Sequence, residues 1–183
     1  MKTLRIILSV SLIFLLAACG GQETPDNGST EPAEAEASAE FVASFESALD
    51  HYFSLSEALV AADVENARVH SEAFAAALTE VNASSLSGDA ATLWETHKES
   101  AIERAQTIVS LQDIEAQRYE FEFLSEAMIE SVQELGPLTY TVYQQRCPMV
   151  RDGSADWLSK DNAILNPYHG DRMLTCGSVV REI

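Results

Sequence analysis

The sequence predicts a mainly α protein: an up-and-down four-helix bundle followed by an irregular C-terminal extension that carries short extended segments. Three observations carry this reading. Apolar residues recur at three- and four-residue steps in four stretches between residues 41 and 135. Short polar or Gly/Pro breaks separate those stretches, and helices of about twenty residues joined by short loops pack as antiparallel neighbours. Strand-like alternation is nearly absent before residue 138. At 183 residues, with 46% apolar residues, 8 Gly and 5 Pro, the chain can bury one real core.

The first segment is read as an export signal. Lys2 and Arg5 precede an apolar run from Ile6 to Leu16, about eleven residues and roughly half of a membrane-spanning helix. It ends in Leu16-Ala17-Ala18-Cys19-Gly20, which resembles the bacterial lipobox. Residues 1–18 are therefore expected to be a lipoprotein signal peptide and Cys19 the lipidated first residue of the mature chain. Glycine after Cys19 points to the outer membrane under the enterobacterial sorting rule. Residues 19–39, rich in Pro, Gly, Ser, Thr and Glu, read as an acidic tether that cannot offset its own ordering entropy.

The folded part is expected at residues 40–183. Phe41, Phe45, Ala48, Tyr52, Leu55 and Leu59 share one face of a first helix. Asp63 is placed to cap a second, with Val69, Ala73, Phe74, Ala77, Leu78 and Val81 inward. After the Asn82–Gly88 break, Asp89 is the expected N-cap of a third helix through Leu93, Trp94, Ala101, Ile102, Ala105, Ile108 and Val109. The fourth runs from about Asp113 to Leu135, with Ile114, Tyr119, Phe121, Leu124, Met128, Ile129 and Val132 inward, and Gly136-Pro137 ends it. His51, His70 and His97 fall in these helices without the Glu-x-x-His pairs of di-metal bundles, so they read as packing or solvated residues.

From Leu138 the text changes, gathering Cys147, Met149, His169, Met173 and Cys176 with Trp157 and Tyr168 over about 138–183. Thr139–Tyr143 favours an extended start and Val179-Val180 a short extended finish, and the two are able to pair beside the bundle. Cys-x-Met and Met-x-x-Cys each present two sulfurs within a turn of chain, and thiolate with thioether is the soft set that selects Cu(I). Ag(I) suits the same ligands. Closure of the loop would bring Cys147, Met149, Met173 and Cys176 together with the His169 imidazole at hand, held by Pro148 and the Asn166-Pro167 turn. The same two cysteines are also the number that one disulfide needs in an oxidising compartment. A bridge from Cys147 to Cys176 would close about 30 residues and stabilise the fold by roughly 3 to 4 kcal/mol. Both readings stand on the residues alone.

Four linked motifs resemble a periplasmic family of unknown function that also forms the C-terminal domain of adaptor (membrane fusion) proteins in copper and silver efflux. They are Cys147-Pro148-Met149, Ala155-x-Trp157-Leu158-Ser159, Ile164-x-Asn166-Pro167-Tyr168-x-Gly170 and Met173-Leu174-x-Cys176-Gly177. Tyr52-Phe53-x-Leu55 and Gln117-Arg118-x-x-Phe121-x-x-Leu124-Ser125 extend the resemblance over about residues 45–183. One departure is His169, where the resemblance leads us to expect Phe or Tyr.

Charge and missing motifs narrow the function. With 11 Lys plus Arg against 29 Asp plus Glu the net charge is −18, and losing Lys2 and Arg5 with the signal peptide makes it two charges more negative. Nucleic acid is excluded as a partner, because phosphate neutralisation needs clustered cations. No phosphate loop, Gly-x-Ser-x-Gly elbow or His-Glu-x-x-His is present, so no enzyme is expected. The sequence therefore leads to an envelope lipoprotein that binds Cu(I) or Ag(I) as chaperone or sequestering partner of a heavy-metal efflux system. The alternative is a disulfide-stapled helical adaptor that docks on an envelope protein without metal.

Overall fold

The structure is a computed structural model and describes residues 38–136, 138–151 and 153–183. The expected signal peptide, Cys19 and nearly all of the tether lie outside the described residues. Among those described, no helix is long and apolar enough to cross a membrane.

Four helices form as the spacing predicts: α1 Ala39–Val60, α2 Val64–Thr79, α3 Gly88–Ser110 and α4 Ile114–Glu134. Their ends have identifiable chemistry. The Ser38 hydroxyl accepts from the Phe41 amide at 3.1 Å, Asp63 Oδ1 from Asn66 at 3.0 Å and Asp113 Oδ1 from Ala116 at 2.9 Å, so each supplies an acceptor to an otherwise orphan donor. Between α1 and α2 the chain turns at Ala62 (φ 54°), with Asp63 N–H donating to Ala58 O at 2.9 Å and Ala62 N–H to Leu59 O at 3.2 Å. This is a Schellman stop with alanine in the left-handed position that glycine usually fills. One expected cap is displaced: Ser87 occupies the N-cap of α3 without a side-chain bond, and Asp89 sits in the first turn. There its charge still complements the helix N-terminus.

Consecutive helices are packed neighbours, and the predicted α1 face, from Phe41 through Leu59, is buried throughout. Two residues expected inside are not. Val69 is 57% exposed, because α2 turns Ala67, Ser71, Phe74, Ala75 and Leu78 inward instead. Tyr119 is 46% exposed and is covered by Arg151, whose guanidinium lies 4.5 Å from its ring centre. Trp94 packs edge-on against Phe41 and Phe45 at 5.2 and 5.3 Å, closing one end of the core.

The extension is more regular than the sequence suggests. Strands β1 Tyr143–Val150, β2 Gly153–Ser159 and β3 Ser178–Glu182 form an antiparallel sheet in the order β2-β1-β3. The expected pairing of the first and last extended segments is present: Val142 and Ile183 exchange backbone bonds at 3.0 and 2.8 Å. β2 has no local signal in the sequence, since GSADWLS has weak strand propensity and takes its conformation from pairing with β1.

The sheet docks through β2 on α4 and α1. Tyr52 of α1 holds this seam. Its hydroxyl shares a 2.8 Å bond with Ser125 of α4 and accepts from the Leu158 amide of β2 at 3.0 Å. Rings continue the contact outward: Tyr52 stacks on Phe121 at 5.2 Å, Phe121 meets Tyr168 at 5.9 Å, and Tyr168 meets Trp157 at 5.9 Å. Trp94, Trp157 and Tyr168 are thus core residues. Lys160 adds a peripheral ion pair to Asp50.

Candidate functional site

β1 is the central strand, and its side chains alternate between faces. Gln145 and Cys147, with their partners Trp157 and Ala155 on β2, share the face that lies under the 160–177 segment. Cys147 is fully buried, at 0% exposure. The segment returns over it and reaches Cys176, half-buried in the turn before β3. The two Sγ atoms lie 3.6 Å apart and both thiols are free. Contact with Cys147 is the main cause that pushes the Cys176 thiol above the ordinary range, with desolvation and Cys147 charge adding to it.

Buried polar side chains hold the returning segment, Asn166 from within it. The Asn166 amide nitrogen donates to Cys176 O at 2.8 Å, and its oxygen accepts from the Tyr168 and His169 amides at 2.9 and 3.3 Å. Its backbone N–H donates to Leu174 O at 2.8 Å. Below it, Arg118 of α4 is only 5% exposed. The guanidinium donates to Pro167 O at 2.9 Å, to Leu59 O at 2.8 Å and to Glu115 at 2.8 Å, so it ties the segment to both α1 and α4. The sequence allows Arg118 a Glu or the tail as partner, and it takes both. Gly170 is the fitting that makes this possible: at φ 55°, an added Cβ would lie 2.5 Å from Arg118 Nη2 and 2.7 Å from Val60 O. Gly177 plays the same part beside the thiols, where a Cβ would meet Arg146 O at 2.8 Å and Trp157 at 3.1 Å.

The five candidate ligands are not placed alike. Cys147 and Cys176 converge. Met173 stands at the other end of the short turn that ends in Cys176, whose amide donates to Met173 O at 3.0 Å, and its side chain is half-buried. Met149 lies beyond Cys147 where the β1–β2 register slips, and is 58% exposed. His169 Nε2 is 3.0 Å from Met149 O, so its ring links the returning segment to the end of β1. Among the described residues, no group of three or more His, Cys, Asp or Glu side chains is arranged to hold a metal. The soft set at this site is thus two thiols with a thioether nearby in the chain. Elsewhere, His97 Nε2 lies 3.3 Å from Glu130, at the bundle edge; His51 and His70 are half-buried.

Fold and site together define a class: a four-helix bundle with a small sheet strapped across one seam, carrying a thiol pair under the strap. A family described as protein of unknown function DUF3347 matches residues 48–139, half of the chain. The chain belongs to this family, which is associated with the C-terminal domains of heavy-metal efflux adaptors and is non-enzymatic. The match covers the helices from within α1 to just past α4 and stops before β1, which carries Cys147, and the turn that carries Cys176. No curated protein and no solved structure matches the chain.

Proposed function

We propose that the protein is a cell-envelope lipoprotein, anchored through Cys19 in the outer membrane, that binds Cu(I) or Ag(I) as chaperone or sequestering partner of a heavy-metal efflux system. The observation that supports this most is the 3.6 Å approach of Cys147 and Cys176. Two thiolates converging on one ion suit these soft d10 cations, and hard ions such as Mg(II) prefer oxygen ligands. Met173 is the next sulfur along the chain from Cys176, while Met149 is exposed beyond the register slip and the His169 ring is engaged with the Met149 carbonyl.

Placement also fits a cargo that must leave again. Cys147 is rigidly held in the central strand, whereas Cys176 belongs to a turn at the edge of the fold, so one ligand is fixed and the other reachable from solvent. The family link makes efflux-pump components the natural partners.

Competition with a chromogenic Cu(I) chelator tests the reading. Reduced protein should withhold Cu(I) from the chelator, and Cys147→Ser or Cys176→Ser should abolish this. Met149→Leu with Met173→Leu should weaken binding at unchanged helical signal, since leucine conserves volume at a cost below about 1.5 kcal/mol. Binding that survives both cysteine changes would refute the site.

A further inference from the structure

We infer that Cys147 and Cys176 form a reversible disulfide, so that the pair alternates between a metal-ligating dithiol and a closed bridge that excludes metal. The metal half of this inference rests on the soft-metal reading above; the bridge half rests on geometry alone.

Three features of the site carry it. The sulfurs are 3.6 Å apart across adjoining segments of one sheet, where Arg146 of β1 pairs with Ser178 of β3. Bond formation needs an approach of about 1.5 Å to reach the S–S distance near 2.05 Å. That movement falls on the Cys176 turn rather than on β1, because Cys147 is paired in register with Ala155 of β2, whereas Cys176 lies in a turn before the β1–β3 pairing begins at Arg146 and Ser178. The two thiols also differ in access. Cys176 is half-buried and open to an exchanging partner, while Cys147 is sealed. A reachable attacking thiol backed by a buried resolving thiol suits thiol–disulfide exchange, whose rate depends on access to the attacking sulfur.

The electron and atom balance is simple with a low-molecular-weight disulfide as oxidant. The Cys176 thiolate attacks one sulfur of that disulfide; its S–S bond breaks, a mixed disulfide forms, and the departing thiolate takes up the proton that Cys176 gave. The Cys147 thiolate then attacks Cys176 Sγ, breaking the mixed bond and forming the protein disulfide. The second oxidant thiol leaves with the proton from Cys147. Two protein thiols are oxidised by two electrons, and one external disulfide is reduced to two thiols. A soft ion held between the sulfurs blocks both attacks, so metal protects the dithiol and the bridge shuts out metal.

The test uses the full chain carrying Cys19→Ala, which leaves Cys147 and Cys176 as its two thiols. Reduced protein is equilibrated in mixtures of oxidised and reduced glutathione, quenched with an alkylating agent and weighed intact; Ag(I) binding is measured on the fully reduced and fully oxidised forms. Both thiols should vanish together in one two-electron transition that dithiothreitol reverses, and Ag(I) added first should prevent it. In Cys147→Ser the glutathione adduct on Cys176 should accumulate. Oxidation should lower Ag(I) affinity by more than about 100-fold, beyond the roughly 10- to 100-fold cost of losing an outer-shell partner.

Two free thiols persisting in oxidised glutathione, or a lasting glutathione adduct on the chain with both cysteines, would overturn the bridge whatever the metal result. A bridged form that binds Ag(I) as tightly as the dithiol would overturn the exclusion. If the bridge forms but the reduced chain binds no Ag(I), the soft-metal reading itself fails and the switch falls with it, leaving a plain structural staple.

Discussion

The bundle and the sheet reach their conformations by different routes. Each helix is specified by its own residues: apolar side chains at helical spacing, an acceptor at the N-cap of α1, α2 and α4, and burial of a face that the adjacent helix covers. The sheet region has little local propensity and is held by side chains that the bundle lends to its backbone. Arg118 grips Pro167 O, and Tyr52 grips the Leu158 amide. The difference teaches that the thiol pair depends on residues far from it in sequence. The bundle works as a frame, and the chemistry sits on the segment that the frame positions.

If so, damage to the clamp should reach the site, and damage to the helices' own turns should not. The largest effect is expected for Arg118→Met, which leaves Pro167 O without its donor and removes the cation from a buried position. Urea unfolding should show a loss of about 3 to 5 kcal/mol, because the buried Pro167 O and Leu59 O each lose a donor at about 1 to 3 kcal/mol apiece, with weakened Cu(I) retention at conditions where the helical signal persists. Gly170→Ala should follow, at about 2 to 3 kcal/mol, because the methyl meets Val60 O as well as the guanidinium and alanine resists φ 55°.

Tyr52→Phe should cost about 1 to 2 kcal/mol at neutral pH, since the Leu158 amide and Ser125 lose a partner. Its pH dependence adds a second readout. Burial raises the Tyr52 phenol well above its ordinary value. Its contribution is therefore intact below the unfolded phenol value near 10, and is lost as pH rises through the folded value. The stability gap between wild type and Tyr52→Phe should narrow above about pH 10. The smallest effect belongs to a helix turn: Ala62→Gly should stabilise the chain by about 0.5 to 1 kcal/mol by relieving the left-handed alanine, with no change in metal binding.

Legibility in the sequence follows the same division. Periodicity places all four helices, and Asp63 is readable as a cap because an acidic residue directly before an apolar stripe has one obvious use; the same reading of Asp89 falls two residues inside, past the Ser87 cap of α3. Val69 misled, since hydrophobicity alone does not tell which way a stripe turns. α2 is instead seated between α1 and α3 by small residues, Ala67, Ser71 and Ala75. Tyr119 misled because its cover, Arg151, comes from the turn after β1. In the tail the five candidate ligands are visible as chemistry but not as geometry. The register slip after Cys147 separates Met149 from it, although two-residue spacing on an unbroken strand would place them on one face. Asn166 was expected to stiffen a turn; that it bonds to Cys176 O across ten residues has no local signal.

X-ray absorption at the copper edge of the Cu(I)-loaded, reduced protein addresses the proposed site most directly, because it reads the ligand atoms themselves. The account predicts a first shell made only of sulfur, in wild type and in Met149→Leu, with loss of that shell in Cys147→Ser. A shell dominated by nitrogen or oxygen, or an all-sulfur shell that survives Cys147→Ser unchanged, would contradict it.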